Sequence, residues 1–408
     1  MTTRTAVITG LGIAAPNGLG IDTYWKSVLG GHGGIGPVTR FDASGYPSRL
    51  AGQIDDFDAE EHLPSRLLPQ TDRSTQLAFA AADWAVDDAG VGVGDFQDYD
   101  MGVVTANALG GFDFTHQEFR KLWQQGPRYV SVYESFAWFY AVNTGQISIR
   151  HKMRGPSAAL VAEQAAGLDA LGHARRTIRR GTQLVVAGGV DSALDPWGYV
   201  SQLSGGLVTT ATDPDRAYLP FDAQASGYVP GEGGALLVVE DKGSALRRGA
   251  ERIYGELAGH AAGFDPAPGS GRPPALGRVA AAALADAGLT PGDIDVVFAD
   301  GAGIPDLDAA EADAIRELFG PLAVPVTAPK ALTGRLYGGG GPLDVATALL
   351  AIRDGVIPPT PGVTDVPDHY GIDLVRDEPR EHPVRHALVL ARGRRGFNSA
   401  VVVSATPR

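Results

Sequence analysis

The stretch from Ser157 to Leu171 (SAALVAEQAAGLDAL) constrains this chain most. A small-residue run, Ala158 to Ala162, reads as a strand, two polar residues follow, and a small-residue helix begins at once and extends from Ala165 to Ile178. A strand that turns sharply into a helix is the place where α/β enzymes mount a nucleophile, because the turn presents one side chain at the helix N-terminus. Here that side chain is Gln164, and a carboxamide is not a nucleophile. The stretch is either a degenerate active site or only a turn.

The rest of the chain repeats the same grammar. Buried strands are predicted at 5–12, 101–105, 184–191 and 235–240, and helices at 74–88 and from Phe112 onward. Beyond a charged joint at 241–248 come strands at 253–258, 295–299 and 325–327 and helices at 276–287, 309–318 and 342–352. A C-terminal hairpin, 387–391 with 399–403, closes the pattern. Two halves, 1–250 and 251–408, with matching β/α alternation suggest an internal duplication. The 55 glycines of the 408 residues follow no fixed period and fit the many tight turns such a fold needs.

Several chemistries are excluded early. A net charge of −13 argues against general binding to nucleic acid or to an anionic membrane surface. The absence of cysteine removes disulfides, thiolate metal sites and cysteine nucleophiles. No apolar run reaches the ~18 residues of a membrane helix, and no signal-peptide core precedes the first strand, so a cytoplasmic protein is expected. Gly10-x-Gly12-x-x-Ala15 has the outline of a dinucleotide fingerprint, but Pro16-Asn17-Gly18 breaks the chain where a helix should receive the pyrophosphate. It reads as a glycine turn. His382 and His386 have a two-histidine spacing, yet Pro383 between them argues against a helical metal site. Arg175, Arg176, Arg179 and Arg180 sit at a helix C-terminus, where positive charge is favourable, as solvated charges or as a contact for an acidic protein.

Two apolar features remain. Phe112, Thr115 and Phe119 share one helix face, and periodicity alone leaves core and a functional wall equally open. The run Tyr129 to Tyr140 (YVSVYESFAWFY) holds aromatics at a density that suits a subunit interface, with plain core as the alternative; Tyr133, Phe136, Trp138 and Phe139 are its candidate interface residues.

Four segments in order resemble the β-ketoacyl synthases of the thiolase fold: Gly155-Pro156-Ser157 through Ala170; Pro220-Phe221-Asp222 with Gly227 to Gly233; Asp300-Gly301-Ala302-Gly303-Ile304; and Lys330 to Leu336. The resemblance implies an α/β protein of two duplicated βαβαβαββ halves stacked as an αβαβα sandwich, with interface insertions in the first half. It implies no cofactor and no metal. The family's chemistry needs a cysteine that takes the acyl chain as a thioester and two histidines that stabilise the enolate formed on decarboxylation. Those positions carry Gln164, Asp300 and Arg335; only the lysine of the last motif is kept, as Lys330. Gly393-Arg394-Arg395-Gly396 stands at the family's C-terminal glycine gate. Asp300 and Arg335, replaced together, are expected to form a buried ion pair.

Losses of this kind, with Val161-Ala162-Glu163-Gln164 and Tyr133 to Asn143, closely resemble the chain length factors of type II aromatic polyketide synthases. The resemblance implies a heterodimer with an active ketosynthase α subunit, served by an acyl carrier protein. It places Leu109, Phe112, Thr115 and Phe119 where side chains set the depth of the polyketide tunnel, and bulky phenylalanines there suggest an octaketide-type cavity. An alternative is a decarboxylase that primes synthesis through Gln164, since glutamine also occurs at the elbow of members that only decarboxylate malonyl-carrier protein.

Overall fold

The computed structural model describes residues 4–267 and 269–406. Its main sheet path begins with β1 (Ala6–Ala15), β2 (Met101–Ala106), β3 (Ser157–Leu160), β4 (Leu184–Asp191) and β5 (Gly233–Asp241). The second half adds β6 (Gly255–Phe264), β7 (Val296–Phe298), β8 (Pro325–Thr327), β9 (Asp373–Leu374), β10 (His386–Gly393) and β11 (Phe397–Ser404). The spatial order is β9-β8-β7-β10-β11-β6-β1-β5-β4-β2-β3. Strands β3, β2 and β4 run parallel, and β5 and β1 follow antiparallel. In the second half β8, β7 and β10 run parallel, and β11 and β6 follow antiparallel. The order of chain and the order in space therefore repeat, with β9 added at the second edge.

Helices complete five layers. α1 (Arg73–Asp88) lies on the outer face of the first half-sheet, against β1 and β5. After α2 (Phe112–Gln125) and α3 (Glu134–Ala137) comes α4 (Ala166–Arg179), and later α5 (Pro196–Leu203). α6 (Leu276–Ala287) and α7 (Pro305–Phe319) cover the outer face of the second half-sheet, and α8 (Gly340–Asp354) joins α4 between the two sheets. Among the described residues the three largest apolar cores lie one between the half-sheets and one under each outer helix layer. Small residues make the middle layer possible: a Cβ on Gly167 of α4 would lie 2.2 Å from Pro342 Cδ of α8.

Three readings from sequence change. β1 does not turn at Gly10 and Gly12 but runs on to Ala15, because α1 crosses it so closely that Cβ atoms there would meet the Ala85 and Ala81 carbonyl oxygens at 2.1 and 1.8 Å. β6 starts two residues later than predicted and continues to Phe264, since β11 pairs with it along its length. Arg175 is buried, 2.5 Å from Asp286 Oδ2, and donates to the Ala258 carbonyl; it fastens α4 to the second half and is no surface charge. Among the described residues no helix is long and apolar enough to cross a membrane.

Candidate functional site

The elbow keeps its shape. Between β3 and α4 the chain passes through one 3-10 turn, Glu163–Ala165, and Glu163 takes the left-handed conformation with φ 52°. That conformation is strained for a side chain with a Cβ, and such strain concentrates at functional turns. Gln164 is 1% exposed, its Oε1 has no hydrogen-bond partner, and its amide abuts Gly340 at the start of α8.

Around it the buried polar groups answer one another. Asp300, just past β7, and Arg335 approach to 3.4 Å, as their joint replacement predicts. Arg335 donates to the Arg392 carbonyl at 2.5 Å, stands 3.7 Å from Glu163 Oε2 and lies over the Tyr228 ring at 5.5 Å. Asp300 Oδ1 accepts the Arg392 backbone N–H at 3.0 Å, and the Asp300 and Gly301 N–H groups donate to the two oxygens of Glu311 at 2.7 and 2.9 Å. Burial works against the Arg335 charge, but Asp300 and then Glu163 hold it protonated well above the usual range. Burial, reinforced by Asp300, raises Glu311 to about 7. Lys330 donates to the Ala299 carbonyl and pairs with Asp344 at 2.7 Å, off the axis of a hydrogen bond. Burial lifts that aspartate to about 6, with Lys330 pulling the other way. The elbow thus carries an amide, and the network beside it is built from a carboxylate and a guanidinium, Asp300 and Arg335.

A second constellation lies on α2 and α5. Asp195 caps α5, Pro196 occupies its first position, and Trp197 follows in the first turn. The Trp197 ring meets Phe112 at 5.1 Å, edge to face, and Phe119 at 5.6 Å, tilted. Phe119 and Trp197 remain 40% and 42% exposed, so this stripe is not core. Thr115 is buried one turn along, its hydroxyl without a partner. Leu109 stands apart from the stripe, in the cluster of Tyr218, Tyr228 and Tyr337 that borders Arg335. Trp197 escaped the sequence reading, although Asp-Pro before it is a helix-start signal that could have drawn attention to it.

The aromatic run is largely uncovered. Tyr133 and Phe136 stack edge-on at 5.8 Å and are half-buried, whereas Trp138 and Phe139 pair at 5.6 Å and are 47% and 48% exposed. Nearby elements add Trp123 and Val161 to the exposed apolar residues. β3 is the last strand of the first half-sheet and carries only serine, alanine and leucine.

Residues 3–245 match the profile of the β-ketoacyl synthase N-terminal domain, and residues 254–364 that of the C-terminal domain. The actinorhodin polyketide β-ketoacyl synthase 2 of Streptomyces coelicolor is 71% identical over 397 residues, covering 97% of this chain and 98% of the relative. The tetracenomycin polyketide synthase ketoacyl synthase beta subunit of Streptomyces glaucescens is 58% identical over 398 residues, 97% of either chain. Among solved structures, the ishigamide ketosynthase/chain length factor superposes with a TM-score of 0.88 at 27% identity, over the whole of both chains. A type II polyketide synthase acyl-carrier protein in complex with its ketosynthase bound to the hexaketide gives 0.89 at 25% identity, again over both whole chains. The chain belongs to the β-ketoacyl synthase family, on the branch of the type II polyketide synthase β subunits, the chain length factors.

Proposed function

We propose that this chain is the non-condensing partner of an active ketosynthase subunit, in the cytoplasm, and that its work is to set the length of a polyketide grown on an acyl carrier protein. The observation that carries this reading is the Phe112–Trp197–Phe119 cluster: the Trp197 ring meets both phenylalanines, and Phe119 and Trp197 are left partly open. Contiguous exposed aromatics and an uncharged outer strand are features that soluble chains normally cover. Tyr133, Phe136, Trp138 and Phe139 are the residues assigned to that interface, and Phe112, Thr115 and Phe119 to the wall that ends the tunnel. Leu109 belongs nearer the tunnel's entry, given its place among the tyrosines.

The logic is steric. A growing poly-β-ketone stops extending when its tail meets a wall that packed side chains cannot move aside. Replacing Phe112 or Phe119 by alanine, in the heterodimer with the ketosynthase subunit, is expected to shift products to longer chains by mass analysis. Unchanged length in both variants removes the role. The decarboxylase alternative loses ground to the charge pattern: the site where an enolate would form is lined by Asp300 and Glu163, with Arg335 already committed to both.

A further inference from the structure

We propose that His116 and Asp195 form a positioning clamp that fixes Trp197 against Phe112 and Phe119, so that a polar pair outside the aromatic wall helps to decide product length. The inference rests on the gate reading above.

One carboxylate serves two elements. Asp195 Oδ1 accepts the Gly198 N–H at 3.0 Å and Oδ2 the Trp197 N–H at 3.0 Å, which is the N-cap of α5. The same Oδ2 lies 2.6 Å from His116 Nδ1 on α2. Asp195 is buried, so this hydrogen bond is poorly screened by water. His116 is four residues after Phe112 and three before Phe119, on the face those two present to α5. The group that His116 grips is therefore the one that sets where α5, and with it the Trp197 ring, begins.

The aromatic contacts between these helices are those of Phe112 and Phe119 with the Trp197 ring, and Phe119 and Trp197 stay partly exposed. Apolar contact resists separation but little resists sliding, whereas a short hydrogen bond fixes direction. The remaining polar ties of α2 lead elsewhere: the Phe114 N–H donates to Asp72 Oδ2 at 3.0 Å, and Glu118 Oε2 accepts the Ser131 N–H at 2.6 Å. Removing the His116 side chain thus leaves α2 seated and the α5 cap intact. What it frees is the spacing between Trp197 and the two phenylalanines.

The test uses the heterodimer with the ketosynthase subunit and malonyl-loaded carrier protein, and reads the fraction of total product in each chain length. A loss of assembly or turnover lowers all products alike and leaves that fraction unmoved. His116→Ala is expected to raise the fraction longer than parental by about ten-fold, the scale of losing one hydrogen bond to a charged group. His116→Asn, whose amide nitrogen stands near the place of Nδ1, is expected to restore the parental distribution. A parental distribution in His116→Ala, with longer products in Trp197→Ala, overturns the clamp and leaves the gate standing. A parental distribution in both overturns the gate and the clamp with it. Products as long in His116→Asn as in His116→Ala also overturn the clamp, since the hydrogen bond would then be irrelevant. If His116→Ala does not assemble, His116→Gln decides, its donor lying one carbon farther out: longer products support the clamp, and parental products overturn it.

Discussion

The pocket behind Gln164 and the aromatic face of α2 and α5 are built on opposite plans. In the pocket most side chains are buried and charges answer charges, with Arg335 between Asp300 and Glu163 and the Arg392 backbone bonded to both Asp300 and Arg335. On the helices the large side chains are apolar, meet one another at ring distance and stay half open. Polar groups buried away from water have to satisfy one another. A wall that meets a growing chain has to keep apolar area uncovered. The difference is between a buried polar network that satisfies itself and an apolar face left partly uncovered.

The sharpest way to break that contrast is to unpair the pocket. Arg335→Met leaves the buried Asp300 without its cation and should cost ~3–5 kcal/mol of stability in denaturant unfolding, as removal of one partner from a buried ion pair does. Adding Asp300→Leu should recover much of that loss. A mild effect of the single change would mean that the pocket is wet and the contrast overstated.

The interface comes next. Trp138→Ala and Phe139→Ala should each weaken association with the ketosynthase subunit by about 2 kcal/mol, or roughly 30-fold in Kd, while barely altering the melting of the isolated chain, because these rings are exposed there. Titration calorimetry on the two subunits gives the number, and equal losses in stability would place the rings in the core instead.

A smaller effect follows from pH. Burial lifts Asp308 of α7 to about 8, even though it accepts the N–H groups of Phe221 and Gly303. The folded chain then holds a proton that the unfolded chain has released, so stability falls as pH rises from the unfolded value of 3.8 toward about 8. Thermal melts of the wild type and of Asp308→Asn between those limits should differ in slope, the variant being flatter. Parallel curves would show that Asp308 is ionised throughout.

Much of this was legible in the sequence where local pattern and tertiary demand coincide. Leu184–Asp191, Leu276–Ala287 and Pro325–Thr327 form the elements their patterning predicts: the first and last are short runs dominated by apolar residues, and the helix carries its apolar residues at helical spacing up to Gly288. The Asp300–Arg335 pair was foreseeable because two replacements of opposite charge had to meet. Gly10 and Gly12 misled because glycine marks a turn and a close helix crossing alike, and only the position of α1 tells them apart. Arg175 misled because its partner Asp286 is far off in the chain. Trp197 lies almost eighty residues beyond Phe119, and no periodicity spans such a gap.

The central claim is that function resides in the aromatic wall and no longer in the elbow. It is tested most directly by chain-length analysis of the products of the heterodimer carrying Gln164→Ala beside those of Phe112→Ala, Phe119→Ala and Trp197→Ala. The account predicts parental lengths from Gln164→Ala and longer polyketides from the three ring variants. Altered length from Gln164→Ala, with parental lengths from all three ring variants, would contradict it.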